Sequence, residues 1–406
     1  MRTIISVVFM VLLSFVLALP TQDDSPSSSQ AIPGIQRDCG NIHSELKMPS
    51  LDPGDYEDLM TSPSAVQRTC PVYRAPVRYS SYLPYTHFSI GTPPRTFELV
   101  LQTDLGGVIL PKRTRTSGAG IQGNIDPSRE FNASKSSTYQ NDSLSWTGNV
   151  ESYDFGSDIF NISNLIVRQK FSLGYNRCFW HAGYIGSSGC LGLKPRSSMG
   201  KTFMENAISA GQLPKPVFSL ILPNYEGRVG EILFGAMDHS RYTGRLAFAM
   251  VQSNNSWQFP MSNVTYNNHS LGAALRAYVD ITKRATLFPM AMAEALHGRI
   301  DGVGKKIRTD YGFWKWPVPC SLKNSSKKLE FTMGSNTLSL PLRALIVERN
   351  GFLMDTWCET YIWGWGSDRQ DAMLGQSFLE SFYMIFDQGP TPQFGLAPLR
   401  TSVNEL

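Results

Sequence analysis

Apolar and polar positions alternate along this chain in short runs. YTHFSI (85–90), FELVLQ (97–102), VFSLIL (217–222), EILFGAM (231–237), LRAYVD (275–280), LEFTM (329–333), LSLPL (338–342) and FYMIFD (382–387) are rich in β-branched and aromatic residues. Gly, Pro, Asn and Asp bound them, so they predict short strands. Only two stretches carry helical spacing, MGKTFMENAISAG at 199–211 and PMAMAEALHG at 289–298. Both end at a glycine, a residue suited to a helix C-terminus. The pattern predicts a mostly β protein with a few short helices. Its 406 residues suffice for two lobes, each with its own core.

The ends and the charge modify that picture. MRTIISVVFMVLLSFVLALP has one arginine, a long apolar run and then polar sequence, so residues 1–19 read as a signal peptide. No second apolar span follows, and no membrane anchor is expected. Residues 20–78 form an acidic leader or N-terminal extension, possible as a prosegment. Within 21–70 there are eight acids against three bases, a net of −5; residues 71–406 hold 33 bases against 25 acids, a net of +8. The leader is expected to dock on the body by this opposite charge or to be trimmed as a disordered tail. The bases of the body stand in short groups such as PKRTR (111–115) and GKKIR (304–308). Without an aromatic-interleaved stripe they read as solvated surface, and no nucleic-acid partner is expected.

Six cysteines in an exported chain imply disulfides. The simplest pairing joins neighbours, Cys39 with Cys70, Cys178 with Cys190 and Cys320 with Cys358, although the sequence leaves the connectivity open. Sequons at Asn132, Asn141, Asn161, Asn254, Asn263, Asn268 and Asn324 suit a secreted glycoprotein. No CxxC or HxxxH spacing occurs, so neither a metal nor a cofactor is expected. GYIGSSG (183–189) fails the G-x-S-x-G pattern of a serine elbow.

The order of motifs over roughly residues 82–398 resembles the pepsin-like aspartic peptidase family. YTHFSIGTPPRTFELVL resembles its first-lobe opening, FNASKSSTY its SSTY segment, and GCLGLKP the strand before the lobe junction. PVFSLILP, GEILFGAMDHSRYTGRLAF and SWQFPMSNV follow in family order, then AYVDITKRATLFP at the second-lobe aspartate strand and AMLGQSFLESFYMIFD with FGLAP at the close. Cys320 and Cys358 flank the segment where the family has a second-lobe disulfide. The resemblance implies two β lobes around a central cleft, here 79–236 and 237–406, and a monomer. Each lobe of such a peptidase supplies one Asp-Thr-Gly turn. Two carboxyls about 3 Å apart share one proton, which separates base from acid.

Both turns depart from that pattern. Gln102 stands where the first aspartate belongs, and an amide does not titrate. Thr103 matches the threonine, Asp104 falls on the glycine, and Leu105 and Gly106 replace small hydroxyl residues. Asp104 is a candidate substitute two positions on, displaced by the turn. In the second turn Asp280 holds the aspartate position, with Ile281, Thr282 and Lys283 replacing threonine, glycine and hydroxyl. Lys283 and Arg284 are expected to set positive charge beside Asp280, unlike a shared-proton pair. Tyr153 in ESYDFGS is the candidate flap tyrosine, and Gln376 in MLGQSF replaces a customary aspartate.

These residues favour a secreted pseudo-peptidase whose cleft binds a peptide, protein or glycan. Two alternatives stand beside it. One is an acid endopeptidase using Asp280 with a non-standard partner; the other is a structural or inhibitory surface glycoprotein.

Overall fold

The structure is a computed structural model that describes residues 72–111, 129–147, 152–174, 188–198, 200–224, 227–253, 255–350 and 356–400. The expected signal peptide, residues 20–71 of the expected leader, Cys39, Cys70, Cys178, Asn254 and the side chain of Tyr153 lie outside the described residues, while residues 73–78 of that leader belong to the first strand of the body.

The first half supplies β1 (Tyr73–Ser80), β2 (Leu83–Ile90), β3 (Arg95–Gln102), β4 (Val108–Pro111), β5 (Gln140–Thr147), β6 (Ser152–Ile162), β7 (Leu165–Gly174), β8 (Cys190–Gly192), β9 (Val217–Ile221) and β10 (Gly230–Phe234). The second half supplies β11 (Ala247–Met250), β12 (Gln258–Tyr266), β13 (His269–Val279), β14 (Thr286–Phe288), β15 (Ile307–Arg308), β16 (Trp314–Lys315), β17 (Pro317–Val318), β18 (Lys328–Met333), β19 (Asn336–Pro341), β20 (Ile346–Asn350), β21 (Thr356–Thr360), β22 (Ile362–Gly364), β23 (Asp371–Leu374), β24 (Phe382–Asp387) and β25 (Gln393–Pro398). The mostly β expectation holds.

Three sheets result. A 13-stranded sheet runs β11-β25-β24-β9-β10-β1-β2-β3-β8-β4-β7-β6-β5, a nine-stranded sheet runs β15-β16-β22-β14-β23-β13-β12-β18-β19, and β17, β21 and β20 form the third. The closing strands of the chain thus pair with β9 of the first half, which ties the lobes through backbone hydrogen bonds. The fold is the bilobal, sheet-rich pepsin-like one.

Alternation builds the strands. β1 buries Tyr73, Ala75 and Val77 and exposes the residues between them. β9 has no exposed position and lies between β24 and β10; its one polar residue, Ser219, is buried and accepts from the Tyr383 hydroxyl at 2.6 Å. There Phe218 stacks on Phe386 at 4.6 Å between centroids, with Trp257 edge-on to Phe386 at 5.0 Å. The Trp257 indole donates to Leu193 O at 2.7 Å, pinning the second lobe to the segment after β8.

Both predicted helices form, shorter than their patterns. α1 spans Phe203–Ser209, and Thr202 with Glu205 makes a capping box at its start. Gly211 follows at φ +65°, the left-handed geometry a glycine permits. α2 spans Met290–His297 and ends at Gly298. Cys320 and Cys358 form a disulfide with Cα atoms 5.1 Å apart. Cys190 is also disulfide-bonded, to a partner outside the described residues. Among the described residues no helix is long and apolar enough to cross a membrane.

The solvated reading of GKKIR changes in three dimensions. β15 pairs with β16, so Lys306 and Arg308 lie over the ring of Trp314, at 5.0 and 5.9 Å from its centroid. Aromatic and basic residues separated in sequence are interleaved across the hairpin.

Candidate active site

β3 brings the first turn to the cleft. Phe97, Leu99, Val100 and Leu101 are buried, and the strand runs between β2 and β8 with Gln102 beside Gly192. The chain turns immediately afterwards. Thr103 is 1 % exposed and points into the second lobe; its hydroxyl donates to Val279 O at 3.0 Å and accepts from Ile281 N at 3.3 Å. Gly106 is needed for space, because a Cβ there would sit 2.7 Å from Ser197 Cα and 2.8 Å from Arg196 O.

β13 brings the second turn. Asp280 follows its last residue, is 6 % exposed, and donates its backbone N–H to Leu374 O at 3.1 Å. Its Oδ1 accepts twice from Thr282, from the N–H at 2.9 Å and from the hydroxyl at 2.6 Å. A glycine at 282 would supply only the first of these bonds. Ile281 is fully buried; its backbone N–H donates across to Thr103 of the first lobe, and its carbonyl accepts from Gln376 of its own lobe.

The cations of this turn do not share one target. Arg284 lies over the ring of Tyr361 at 5.0 Å. The charge of Lys283 acts on Asp104, as does that of Lys194 just beyond β8. Asp104 keeps one side open to solvent while protein crowds the rest of it, as on a cleft floor. That crowding pushes its carboxyl above the usual aspartate range, and the negative charge of Asp280 pushes the same way. Lys283 and Lys194 oppose both. The structure therefore brings Asp280, Lys283 and Lys194 within electrostatic reach of Asp104.

Tyr278, two residues before Asp280 on β13, has its phenol pushed up to about 12, chiefly by burial, with Arg369 acting against the shift. Tyr153 lies on β6 opposite Trp146 of β5. Asn132, Asn141, Asn263, Asn268 and Asn324 are all exposed, and Asn161 is half-buried.

Gln376 carries more than its motif suggested. It is 1 % exposed, and its amide Nε2 donates both to Tyr82 O of the first lobe, at 2.6 Å, and to Ile281 O of the second, at 2.7 Å. An ionised aspartate would aim lone pairs at those two carbonyls, whereas an amide nitrogen has two hydrogens to give. The chemical difference between Asp and Gln was the available signal; the position of both carbonyls was not. Lys194 lay inside a quoted motif, and nothing local marked it as a cleft residue.

The eukaryotic aspartyl protease family model matches residues 82–399. The chain belongs to this family. It is 28 % identical over 324 residues to gastricsin of Callithrix jacchus, covering 77 % of this chain and 81 % of the relative. It is 26 % identical over 327 residues to pepsin B of Canis lupus familiaris, covering 76 % and 80 %. Rhizopuspepsin-2 of Rhizopus niveus is 27 % identical over 328 residues, with 78 % of each chain covered. In this eukaryotic aspartyl protease family member an amide, Gln102, ends β3, and Asp280 after β13 accepts the Thr282 hydroxyl on its Oδ1.

Proposed function

We propose that this family member holds a peptide or protein segment in its cleft without hydrolysing it. The observation that carries this reading is Gln102 at the end of β3, where the family needs a carboxyl opposite Asp280. Aspartic hydrolysis requires one carboxylate to take a proton from water and one carboxylic acid to protonate the scissile carbonyl. Gln102 can do neither. Export is part of the same proposal, supported by the signal-like N-terminus and the sequons.

The test is turnover of denatured casein by the purified protein across roughly pH 2–7, run beside binding of a peptide library to the same preparation. Saturable binding with no cleavage is the expected result. Cleavage blocked by a statine-type inhibitor overturns it.

A second reading has one observation in its favour, the influence of Asp280 on Asp104. In that reading the two carboxyls form a shifted pair: the ionised one deprotonates a water, which attacks the peptide carbonyl, and the protonated one donates to the carbonyl oxygen. Loss of cleavage in both Asp104→Asn and Asp280→Asn would establish it. The two lysines near Asp104 weigh against it, since they favour the doubly ionised state.

A further inference from the structure

The hairpin from β15 to β16 has a composition unlike the surface around it. Residues 305–316 hold four bases against one acid, with Tyr311, Phe313, Trp314 and Trp316 among them. Its turn is locally fixed: Thr309 N–H donates to Phe313 O at 2.8 Å, Gly312 N–H to Thr309 O at 2.9 Å, and Gly312 takes φ +85°. Its base is anchored where Trp314 pairs with Gly364 of β22. A rigid hairpin thus presents its side chains with little freedom to lose on binding.

Those side chains are set for an anionic ligand with flat apolar faces. Tyr311 at the tip is 84 % exposed and Ile307 45 % exposed. Lys306 is paired with Glu294 at 2.6 Å and leans on Trp314. Lys305 and Arg308 are exposed and have no carboxylate partner among the described residues.

We propose that this hairpin binds an acidic polysaccharide, one carrying sulfate or carboxylate groups on its sugar rings. Lys305 and Arg308 would take the anionic groups, Arg308 through paired N–H donors. Tyr311 offers its ring to the apolar face of a sugar. A lipid surface fits less well, because the tip carries Asp310 and Ile307 is the hairpin's only aliphatic side chain. The proposal uses none of the residues of the candidate active site and stands or falls apart from the cleft reading.

Heparin is the probe, applied to the full chain by affinity chromatography and titration at about 0.15 M salt. Wild type is expected to bind. Lys305→Ala with Arg308→Ala should weaken binding about tenfold, the loss of two charge-assisted contacts. Tyr311→Ala should weaken it about threefold through lost apolar contact. The charge-matched control is Lys135→Ala with Lys215→Ala, both exposed elsewhere, and it should change little. Equal losses in the two double variants would mean that only the net basic charge matters, and would overturn the proposal. Failure of wild type to bind overturns it as well. So does tighter binding to vesicles of 3:1 phosphatidylcholine to phosphatidylserine, or to a single-stranded oligonucleotide, than to heparin.

Discussion

The turn after β3 and the turn after β13 meet, and they differ in what they bring. The first carries Thr103, whose hydroxyl bonds to Val279 O and Ile281 N across the lobes, next to the amide of Gln102. The second carries the carboxyl of Asp280 and, beside it, the buried Ile281. The lobes are still joined there because the second turn contributes main-chain groups, and any side chain at 281 leaves those in place. The tie between the turns rests on one side-chain hydroxyl, that of Thr103, and on main-chain groups of the second turn, so it is indifferent to the side chain at 281 but not to the one at 103. Proton transfer would depend on particular side-chain oxygens of both turns.

The comparison is broken most severely at Thr103. Thr103→Val removes the one hydroxyl that serves two buried backbone groups and leaves both unpaired, at about 3 kcal/mol. Urea unfolding should show that loss. A change under about 1 kcal/mol would mean the crossing bonds are not what joins the turns.

The second lobe has an acid weakness of its own at His297. The ring is 1 % exposed, stacks on Trp316 at 4.2 Å, and bonds to Ala293 O at 2.6 Å and Thr360 Oγ1 at 2.7 Å. Burial lowers it from 6.5 to about 4. Such a group stabilises the fold above its unfolded value and loses that contribution as pH falls toward the folded one. Stability should therefore drop by about 2 kcal/mol between pH 7 and pH 5. His297→Gln should flatten that slope, whatever it does to the baseline. An unchanged slope would exclude His297 as its source.

Thr282→Val sharpens the comparison at the carboxyl. It deletes the shorter of two bonds to Asp280 Oδ1 and should cost about 1–2 kcal/mol. That loss should disappear in an Asp280→Ala background, which removes the acceptor oxygen, and a double-mutant cycle reads the coupling directly.

Asp104→Asn should have a smaller effect, of opposite sign. A carboxyl held above its ordinary range favours the fold while protonated, and that advantage fades as pH rises through its folded value. Removing the charge should raise Tm near neutral pH, and the gain should shrink toward acid. A lower Tm at neutral pH would mean that the lysines outweigh burial and Asp280.

The smallest expected effect is the most informative one. Gln102→Asp restores the missing carboxyl but leaves Ile281, Thr282 and Lys283 in place, so casein turnover at acid pH should stay at background. Strong recovery would place the whole defect in the first turn.

Much of the fold was legible in the chain. The alternation over FELVLQ and the apolar run VFSLIL became β3 and β9, both glycine-ended helical stretches formed, and Cys320 met Cys358. These features depend on neighbours close in sequence or on an order of motifs that survives drift. The loss at Gln102 was equally readable, since an amide is an amide in any fold. Less visible were the contacts of long side chains. The charge of Lys283 acts on Asp104 and Arg284 stacks on Tyr361, contacts that no local pattern marks. The basic run GKKIR was expected to be plain solvated surface until β16 set Trp314 against it.

The sequence by itself determined the strand pattern, the family to which it belongs, and the absence of a titratable group at 102, because each is a property of residue type and order. Only the tertiary structure decided that Gln376 bridges Tyr82 and Ile281, that the charge of Asp280 reaches Asp104, and that His297 is sealed against Trp316. Each of those depends on a distance between residues far apart in the chain. Such a distance is fixed by how sheets pack, and no local stretch encodes it.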